Sequence, residues 1–212
     1  MNKALKIIVW ITYPIFLIMV SAQLLTSNPY LRISEGLYAS HDDIEYDHRY
    51  VARQLIDYLN YRHDTLEFGA NAEDDSVLMR DIEIRHMVDV RDLYTLLRIV
   101  AGISLLVTVL SVIGLFFRDK HELYKTFKGI VWVPLIAMVT LGAFIAVNFS
   151  WLFVFFHEIA FDNDDWILRA DDVLIQLLPL EFWMVSAVLV LVFSGIFIVL
   201  TRYVGTRCLK SS

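Results

Sequence analysis

The longest apolar stretch of the sequence is IVWVPLIAMVTLGAFIAVNFSWLFVFF, which occupies residues 130–156. Its 27 residues include no Asp, Glu, Lys or Arg. As a helix that rises 1.5 Å per residue, they extend about 40 Å, which exceeds the roughly 30 Å of hydrocarbon in a bilayer. The stretch therefore predicts a helix that crosses a membrane.

Three further runs of the same character lie at about 5–25, 96–117 and 182–203. Charged residues are rare in these runs and lie near their ends, as Arg98 does. The composition agrees, because 58% of the 212 residues are hydrophobic and the mean hydropathy is +0.58, whereas a soluble domain is about half apolar. We predict an all-α membrane protein with four transmembrane helices in one integral membrane domain, residues 1–212.

Basic residues determine the predicted orientation. Four of them fill the short connection between the second and third spans: Arg118, Lys120, Lys125 and Lys128. Others precede the first span and follow the fourth. Because short cytoplasmic loops are enriched in Lys and Arg, both termini and this connection are predicted to be cytoplasmic. The segments of about 27–95 and 157–181 then face outward, and the first carries 15 acidic residues against 7 arginines. Nothing in this charge pattern indicates nucleic-acid binding.

The outward segment between spans 1 and 2 is too long for a bare loop and is predicted to be helical. Ser40 to Asp43 fits a capping box, and apolar residues at helical spacing after it predict an amphipathic helix of about 43–62. Residues 69–76 are typical of a turn. A second helix is expected to start at about Val77 and to continue into the second span.

The shorter outward segment, 157–181, has two recognisable features. Residues 162–165, with the sequence DNDD, are typical of a turn. Asp171 and Asp172 suit the first turn of a short helix, where acids complement the helix dipole, and Pro179 is expected to end that helix.

Two of the six histidines are predicted to reach the same membrane surface. His157 directly follows the quoted run, and His86 lies ten residues, about 15 Å of helix, before the second span. Acids are close to both: Glu83 and Asp89 are three residues from His86, and Glu158 is next to His157. A carboxylate can orient an imidazole and stabilise its cation. The two histidines are thus either catalytic or simply polar residues whose hydrogen bonds are satisfied at helix ends.

Several kinds of catalytic site are excluded or disfavoured. There is no Gly-x-Ser-x-Gly motif, and the only cysteine, Cys208, is predicted to be cytoplasmic. A zinc site using His86, His157 and a carboxylate is possible, although no His-Glu-x-x-His motif occurs. Ion-coupled transport needs ionisable groups inside the spans, which are scarce here. Acid–base chemistry on an amphiphilic substrate is favoured. A metal-dependent hydrolase using the same histidines and a non-catalytic accessory protein remain open.

Around both histidines the sequence resembles the bacterial lipoprotein intramolecular transacylase family. The first similar motif is Glu83-x-x-His86-Met87-x-Asp89-Val90, followed by a span. The second is Phe156-His157-Glu158-x-x-Phe161-x-Asn163-Asp164-x-Trp166, then Asp172-x-Leu174-Ile175, then Pro179. The four spans, with both termini inside, also fit that family.

The resemblance implies a multi-pass plasma-membrane enzyme whose active site faces the extracytoplasmic side. Its substrates would be lipoproteins with an S-diacylglyceryl cysteine, whose sn-2 acyl chain is moved to the free α-amine of that cysteine. No metal and no cofactor are expected. In our hypothesis His157 and His86 are catalytic, in interchangeable roles of base and acid. Candidates for supporting or orienting them are Asp89, Glu158 and Glu83, and Trp166, Asn163 and Asp172 are expected to shape the outer loop.

Overall fold

The computed structural model describes residues 2–27, Tyr30 and residues 46–210 of the chain. The regular structure of these residues is entirely helical, with no strand among them. The helices are α1 (Asn2–Leu24), α2 (His48–Leu59), α3 (Asp81–Arg118), α4 (Lys120–Gly129), α5 (Trp132–Ala160), α6 (Val173–Leu177) and α7 (Leu180–Lys210).

Within residues 2–27 and 46–210, four helical stretches are long and apolar enough to cross a membrane. They are α1, α3, the stretch Lys120–Ala160 formed by α4 and α5, and α7. These stretches coincide with the four predicted spans, so the all-α fold with four transmembrane helices is confirmed. Large apolar side chains on them are exposed, Val147 by 85% and Phe117 by 80%, as expected for surfaces that face lipid. The orientation with both termini inside stays a prediction.

The described chain forms two compact units. The first consists of Met1–Ala22, Leu97–Val147 and Ala187–Ser212. Within it, polar side chains join the helices: the hydroxyls of Thr12 and Thr108 are 2.7 Å apart, and the Trp10 indole N–H donates to the Thr126 carbonyl over 2.9 Å. Hydroxyl and backbone groups pair in this way because unpaired polar groups in hydrocarbon are unfavourable. The prediction of one domain over residues 1–212 stays a prediction.

The second unit consists of Gln23–Leu96 and Asn148–Ser186 and contains the two histidines of interest. Its apolar core brings together α2, the beginning of α3 and α6. The buried core side chains are Val51, Leu55, Tyr58, Leu59, Leu66, Phe68, Met79, Met87, Val173, Leu174 and Leu177. This core fixes the backbone from which the site residues project.

The amphipathic helix is shorter than predicted. α2 begins at His48, not at about residue 43, because the Asp47 carboxylate accepts hydrogen bonds from two N–H groups of the first turn. It ends at Leu59, not at 62, because the chain turns through Tyr61, whose φ is 59°. The predicted capping box at Ser40–Asp43 lies outside the described residues.

The helix that carries His86 also starts later than predicted. α3 begins at Asp81, not at Val77, because the backbone N–H of Arg80 donates to the Glu83 carboxylate over 2.9 Å. A carboxylate three residues into a helix satisfies in this way a donor that the helix leaves unpaired. α3 then continues without interruption into the second span, as expected.

The helix that carries His157 is broken within the third span. Asn148 has φ −159° and ψ 81°, so α5 consists of two helical parts. The Asn148 side-chain carbonyl accepts a hydrogen bond from the backbone N–H of Trp151 over 3.0 Å, which caps the second part. His157 therefore stands near the end of a separately capped helix of about three turns.

Candidate active site

The two histidines selected from the sequence lie side by side. His86 is in the second turn of α3, and His157 is in the last turn of α5. Their ring centroids are 6.0 Å apart, and each residue is only 8% exposed. Both lie outside the predicted spans 96–117 and 130–156. The structure thus contains a buried pair of imidazoles just beyond the apolar stretches.

A backbone hydrogen bond fixes the His157 ring. Its Nδ1 lies 2.7 Å from the carbonyl oxygen of Phe153, one helical turn earlier. A carbonyl oxygen can only accept, so Nδ1 must carry the proton. In the neutral ring the lone pair is then on Nε2. Glu158, predicted to orient this ring, is exposed and follows His157 directly, so the orienting group is the Phe153 carbonyl instead.

Aromatic rings surround His157 and exclude water from it. The four rings nearest its centroid are Phe153 at 4.2 Å, Trp166 at 5.1 Å, Phe156 at 5.3 Å and Phe161 at 5.6 Å. Trp166, predicted only to shape the outer loop, therefore contacts the imidazole itself.

His86 has a different environment from its neighbour. Its Nδ1 is buried and has no hydrogen-bond partner among the described residues, and its ring meets Phe161 edge to face at 5.1 Å. Asp89 was predicted to orient it. The Asp89 carboxylate instead accepts a hydrogen bond from the Asn163 amide over 2.8 Å. One imidazole nitrogen of His86 is thus buried and unpaired by the described residues.

Both rings are held neutral by their surroundings. Burial lowers the pKa of His86 to about 4, with the neighbouring His157 as a second cause, while Asp89 and Asp165 oppose the shift. Burial also lowers the pKa of His157, against the opposing effect of its hydrogen bond to Phe153. Neutral imidazoles have one donor and one acceptor each, which is the state that acid–base catalysis requires.

Glu83 connects two helices rather than orienting His86. It is completely buried, and its two carboxylate oxygens accept from the backbone N–H groups of Arg80 and Leu174, each over 2.9 Å. The first bond caps α3 and the second caps α6, whose first turn otherwise has unpaired donors. Its predicted role in orienting His86 is therefore replaced by a role in joining the two elements around the site.

An ion pair between the exposed Arg80 and the buried Asp172 reinforces this junction. The Arg80 guanidinium donates two hydrogen bonds to the Asp172 carboxylate, which also accepts from the backbone N–H of Arg169 over 2.7 Å. Burial alone would raise the pKa of Asp172, but these hydrogen bonds outweigh it and lower the pKa. Asp172 precedes α6 without capping it through its side chain. It was predicted to shape this loop, and the contacts show how it can do so.

The segment 162–166 is tied to α3 on both sides of His86. Arg85 makes a double hydrogen bond with Asp165, over 2.9 and 3.0 Å. Four residues further along α3, Asp89 binds Asn163. These two ties hold the segment that brings Trp166 against His157.

Sequence reasoning missed four contributors to the site: Phe153, Arg80, Arg85 and Asp165. A signal for two of them was present, since the DNDD run supplies acids and Arg85 stands immediately before His86. The DNDD run predicted only a turn, although its acids are opposite in charge to Arg85. The Phe153 carbonyl carries no sequence signal, because every residue has one.

Two further features bear on the chemistry. Among the described residues, no three His, Cys, Asp or Glu side chains are grouped as ligands for a metal ion. An open cleft of about 280 Å³ lies beside the aromatic side of the site. Its lining residues are Glu158, Phe161, Asp162, Asn163, Asp164 and Trp166.

The family model described as lipoprotein intramolecular transacylase Lit matches residues 7–183. The chain belongs to this family. The resemblance of the two motifs is thereby confirmed, and the chain is a multi-pass membrane protein of a family of lipoprotein acyltransferases. A comparison with curated proteins found no match.

Solved structures of a Lit protein have the same fold. The in meso structure of the membrane integral lipoprotein intramolecular transacylase Lit from Bacillus cereus is 24% identical and has a TM-score of 0.80, covering 100% of this chain and 96% of that one. Two structures of that protein with one histidine replaced, by arginine or by alanine, have TM-scores of 0.76 at 22% and 21% identity. They cover 100% of this chain and 92% and 94% of theirs. At this identity the likeness shows the fold alone.

Proposed function

We propose that this Lit-family chain converts a diacylated lipoprotein into its N-acylated lyso form at the outer leaflet. The acyl chain at the sn-2 position of the S-diacylglyceryl group moves to the free α-amine of the same N-terminal cysteine. The observation that carries the proposal is the fixed His157 ring, whose Nδ1 binds the Phe153 carbonyl at 2.7 Å and whose Nε2 is left as an acceptor beside His86.

This reaction suits a site that offers no nucleophile of its own. The substrate amine attacks the ester carbonyl, so the enzyme has only to bring the two groups together, accept a proton and stabilise an oxyanion. Both reacting groups belong to one molecule, and such proximity can lower a barrier by roughly 7–11 kcal/mol. Two positioned imidazoles are a sufficient catalytic set for the remaining steps.

We assign a role to each histidine ring by following the protons through the reaction. Attack forms the new C–N bond and places negative charge on the former carbonyl oxygen. Nε2 of His157 accepts the proton that the nitrogen loses, and the N–H of neutral His86 donates a hydrogen bond to the oxyanion or to the leaving alkoxide. The tetrahedral intermediate then breaks its bond to the sn-2 oxygen, which takes up the proton that His157 had accepted. The net transfer is one proton from nitrogen to oxygen, so both rings return to their starting state.

The lowered pKa values are compatible with these roles. A free α-amine has a pKa of about 7.7–8.0, so a minority of it is neutral at neutral pH, and that neutral form attacks after the ammonium form has lost a proton to solvent. After attack the same nitrogen becomes far more acidic, so a weak base that is always unprotonated can accept its second proton. Burial keeps the His157 ring in that unprotonated state.

Mass spectrometry of N-terminal lipopeptides tests the proposal. We expect His157→Asn to lower the yield of the N-acyl lyso product by about 10²-fold or more. The asparagine keeps a side-chain N–H that can donate to the Phe153 carbonyl. His86→Gln should lower the yield similarly. His63→Ala is the matched control, because His63 is exposed in the same unit. Undiminished product from both site variants would refute the assignment.

Two accompanying measurements separate this function from its competitors. Thermal unfolding of purified His157→Asn should stay close to that of the wild type, because the ring's orienting hydrogen bond is preserved. If the variant instead fails to fold, the histidines are structural. If chelators remove the activity of the wild type, a metal-dependent hydrolase is favoured.

A further inference from the structure

The turn that ends α2 places a tyrosine where a glycine is expected. The backbone N–H of Arg62 donates to the Asp57 carbonyl over 2.8 Å, and that of Tyr61 donates to the Tyr58 carbonyl over 3.1 Å. This pair of bonds defines a Schellman motif, whose left-handed position normally holds glycine. Here Tyr61 holds it with φ 59°. A bulky residue in this conformation indicates that its side chain is needed there.

The Tyr61 ring lies against an arginine of α3. Its centroid is 3.9 Å from the guanidinium carbon of Arg91, and the Tyr58 ring lies 4.4 Å from the same atom. The Tyr61 hydroxyl also binds the hydroxyl of Thr95, one turn after Arg91. Two rings and a hydrogen bond thus hold the guanidinium in one place.

Among the described residues, the Arg91 guanidinium has no hydrogen-bond partner. Its side chain is only 13% exposed, and Nε is buried without a partner. An oxygen of Asp64, whose side chain is 99% exposed, lies 3.8 Å from Nη2, which is too long for a hydrogen bond. Because Nε is closed to an external ligand, an acceptor from outside the chain has to bind the Nη groups.

The depth of Arg91 indicates the chemistry of that acceptor. Arg91 precedes the predicted start of the second span, Leu96, by five residues, or about 7.5 Å of helix. This is the depth of lipid headgroups, where tyrosines are also enriched. Every phospholipid carries a phosphodiester there, and the planar fork of a guanidinium matches phosphate oxygens in a two-point contact.

We propose that Arg91, held by Tyr58 and Tyr61, binds the phosphodiester of a membrane phospholipid in the leaflet next to the histidine site. The ring contacts of His86 and His157 are with each other and with Phe153, Phe156, Phe161 and Trp166, so the proposed phosphate contact uses other residues than the acyl-transfer chemistry. It provides a fixed lipid contact for α2 and α3.

Native mass spectrometry of the full chain in detergent tests this site. We expect the wild type to retain one phosphatidylglycerol and Arg91→Gln to bind it about tenfold more weakly. Tyr61→Gly is the sharper variant, because glycine suits the left-handed turn and leaves the backbone unstrained. It should fold as well as the wild type and still lose lipid affinity. Arg53→Gln is the matched control, since it removes the same charge from an exposed position of α2.

Different probes identify the bound group. Diacylglycerol with the same chains should not be retained, because it lacks the phosphate. Inorganic phosphate alone should not displace the phospholipid at millimolar concentration, and its doing so would overturn the assignment to a lipid. The proposal also fails if Arg91→Gln and Arg53→Gln retain phosphatidylglycerol equally. It fails too if Arg91→Gln keeps the phospholipid and loses only binding of a diacylated lipopeptide.

Discussion

One hydrogen bond determines what His157 can do. The Phe153 carbonyl accepts from Nδ1, and this leaves Nε2 as the nitrogen that can take a proton. A carboxylate in the same place would also have stabilised the protonated ring, whereas the neutral carbonyl stabilises it less. The aromatic rings around His157 also disfavour the protonated form of its ring. These surroundings favour the neutral ring, which suits the proposed role of His157 as a base that carries a proton only briefly.

The lowered pKa of His86 predicts a pH dependence of stability. Burial lowers this pKa from 6.5 to about 4. Between these values the unfolded chain binds a proton at His86 that the folded chain does not, so stability falls as the pH falls through this window. We expect the thermal unfolding midpoint to decrease from about pH 7 to about pH 4.5, and to decrease less in His86→Asn, whose side chain does not titrate.

The exposed His63 again supplies the comparison for this measurement. His63→Asn should show the same decrease in unfolding midpoint as the wild type. Equal decreases in all three proteins would mean that protonation of His86 is not coupled to folding.

At the scale of the elements, one carboxylate caps two helices. Glu83 accepts from Arg80 at the start of α3 and from Leu174 in α6. α3 carries His86, and α6 follows in the chain the segment 162–166 that brings Trp166 against His157. The contact between them is therefore a condition for the site geometry, although Glu83 does not bind a histidine.

Replacing this carboxylate by an amide tests the junction. Glu83→Gln retains one accepting oxygen but turns an N–H group toward one of the two backbone donors. A buried donor left unpaired costs about 1–3 kcal/mol, so we expect a lower free energy of unfolding, measured by thermal or denaturant unfolding. Glu67→Gln makes the same chemical change at an exposed position and should leave stability within about 0.5 kcal/mol. Equal stability of the two variants would contradict the capping role.

The elements also show what a sequence can and cannot predict here. The four spans followed from length and hydropathy, and the meeting of His86 and His157 followed from their distances to the span ends. The orienting role of Glu158 stays a prediction; consecutive residues of a helix point in different directions, and here the Phe153 carbonyl binds the His157 ring. Glu83 and Asp89 do share a face with His86, but partners from another segment, Leu174 and Asn163, bind their carboxylates. Such partners depend on tertiary contacts that helical spacing does not contain.

Across the whole molecule, charge and contacts agree on one arrangement in the membrane. Lys6 of α1 donates to Glu122 of α4 over 3.3 Å, so the N-terminal end and the connection before the third span lie on the same side. The positive-inside rule predicts that this side is cytoplasmic. His86 and Arg118 stand near opposite ends of α3, so with this orientation we expect the histidine site on the extracytoplasmic side.

Cysteine labelling tests that arrangement in intact cells. Cys208 is the only cysteine, is exposed, and follows the fourth span, so a membrane-impermeant maleimide should not reach it from outside. In the Cys208→Ser background, His63→Cys places a thiol at an exposed position of the segment predicted to face outward, and the same reagent should label it. A permeant maleimide should label both proteins, which controls for thiol reactivity. If the impermeant reagent labels Cys208 but not His63→Cys, the topology is the reverse of the predicted one. The acyl transfer proposed above would then lie on the cytoplasmic face, on the wrong side for lipoproteins anchored in the outer leaflet.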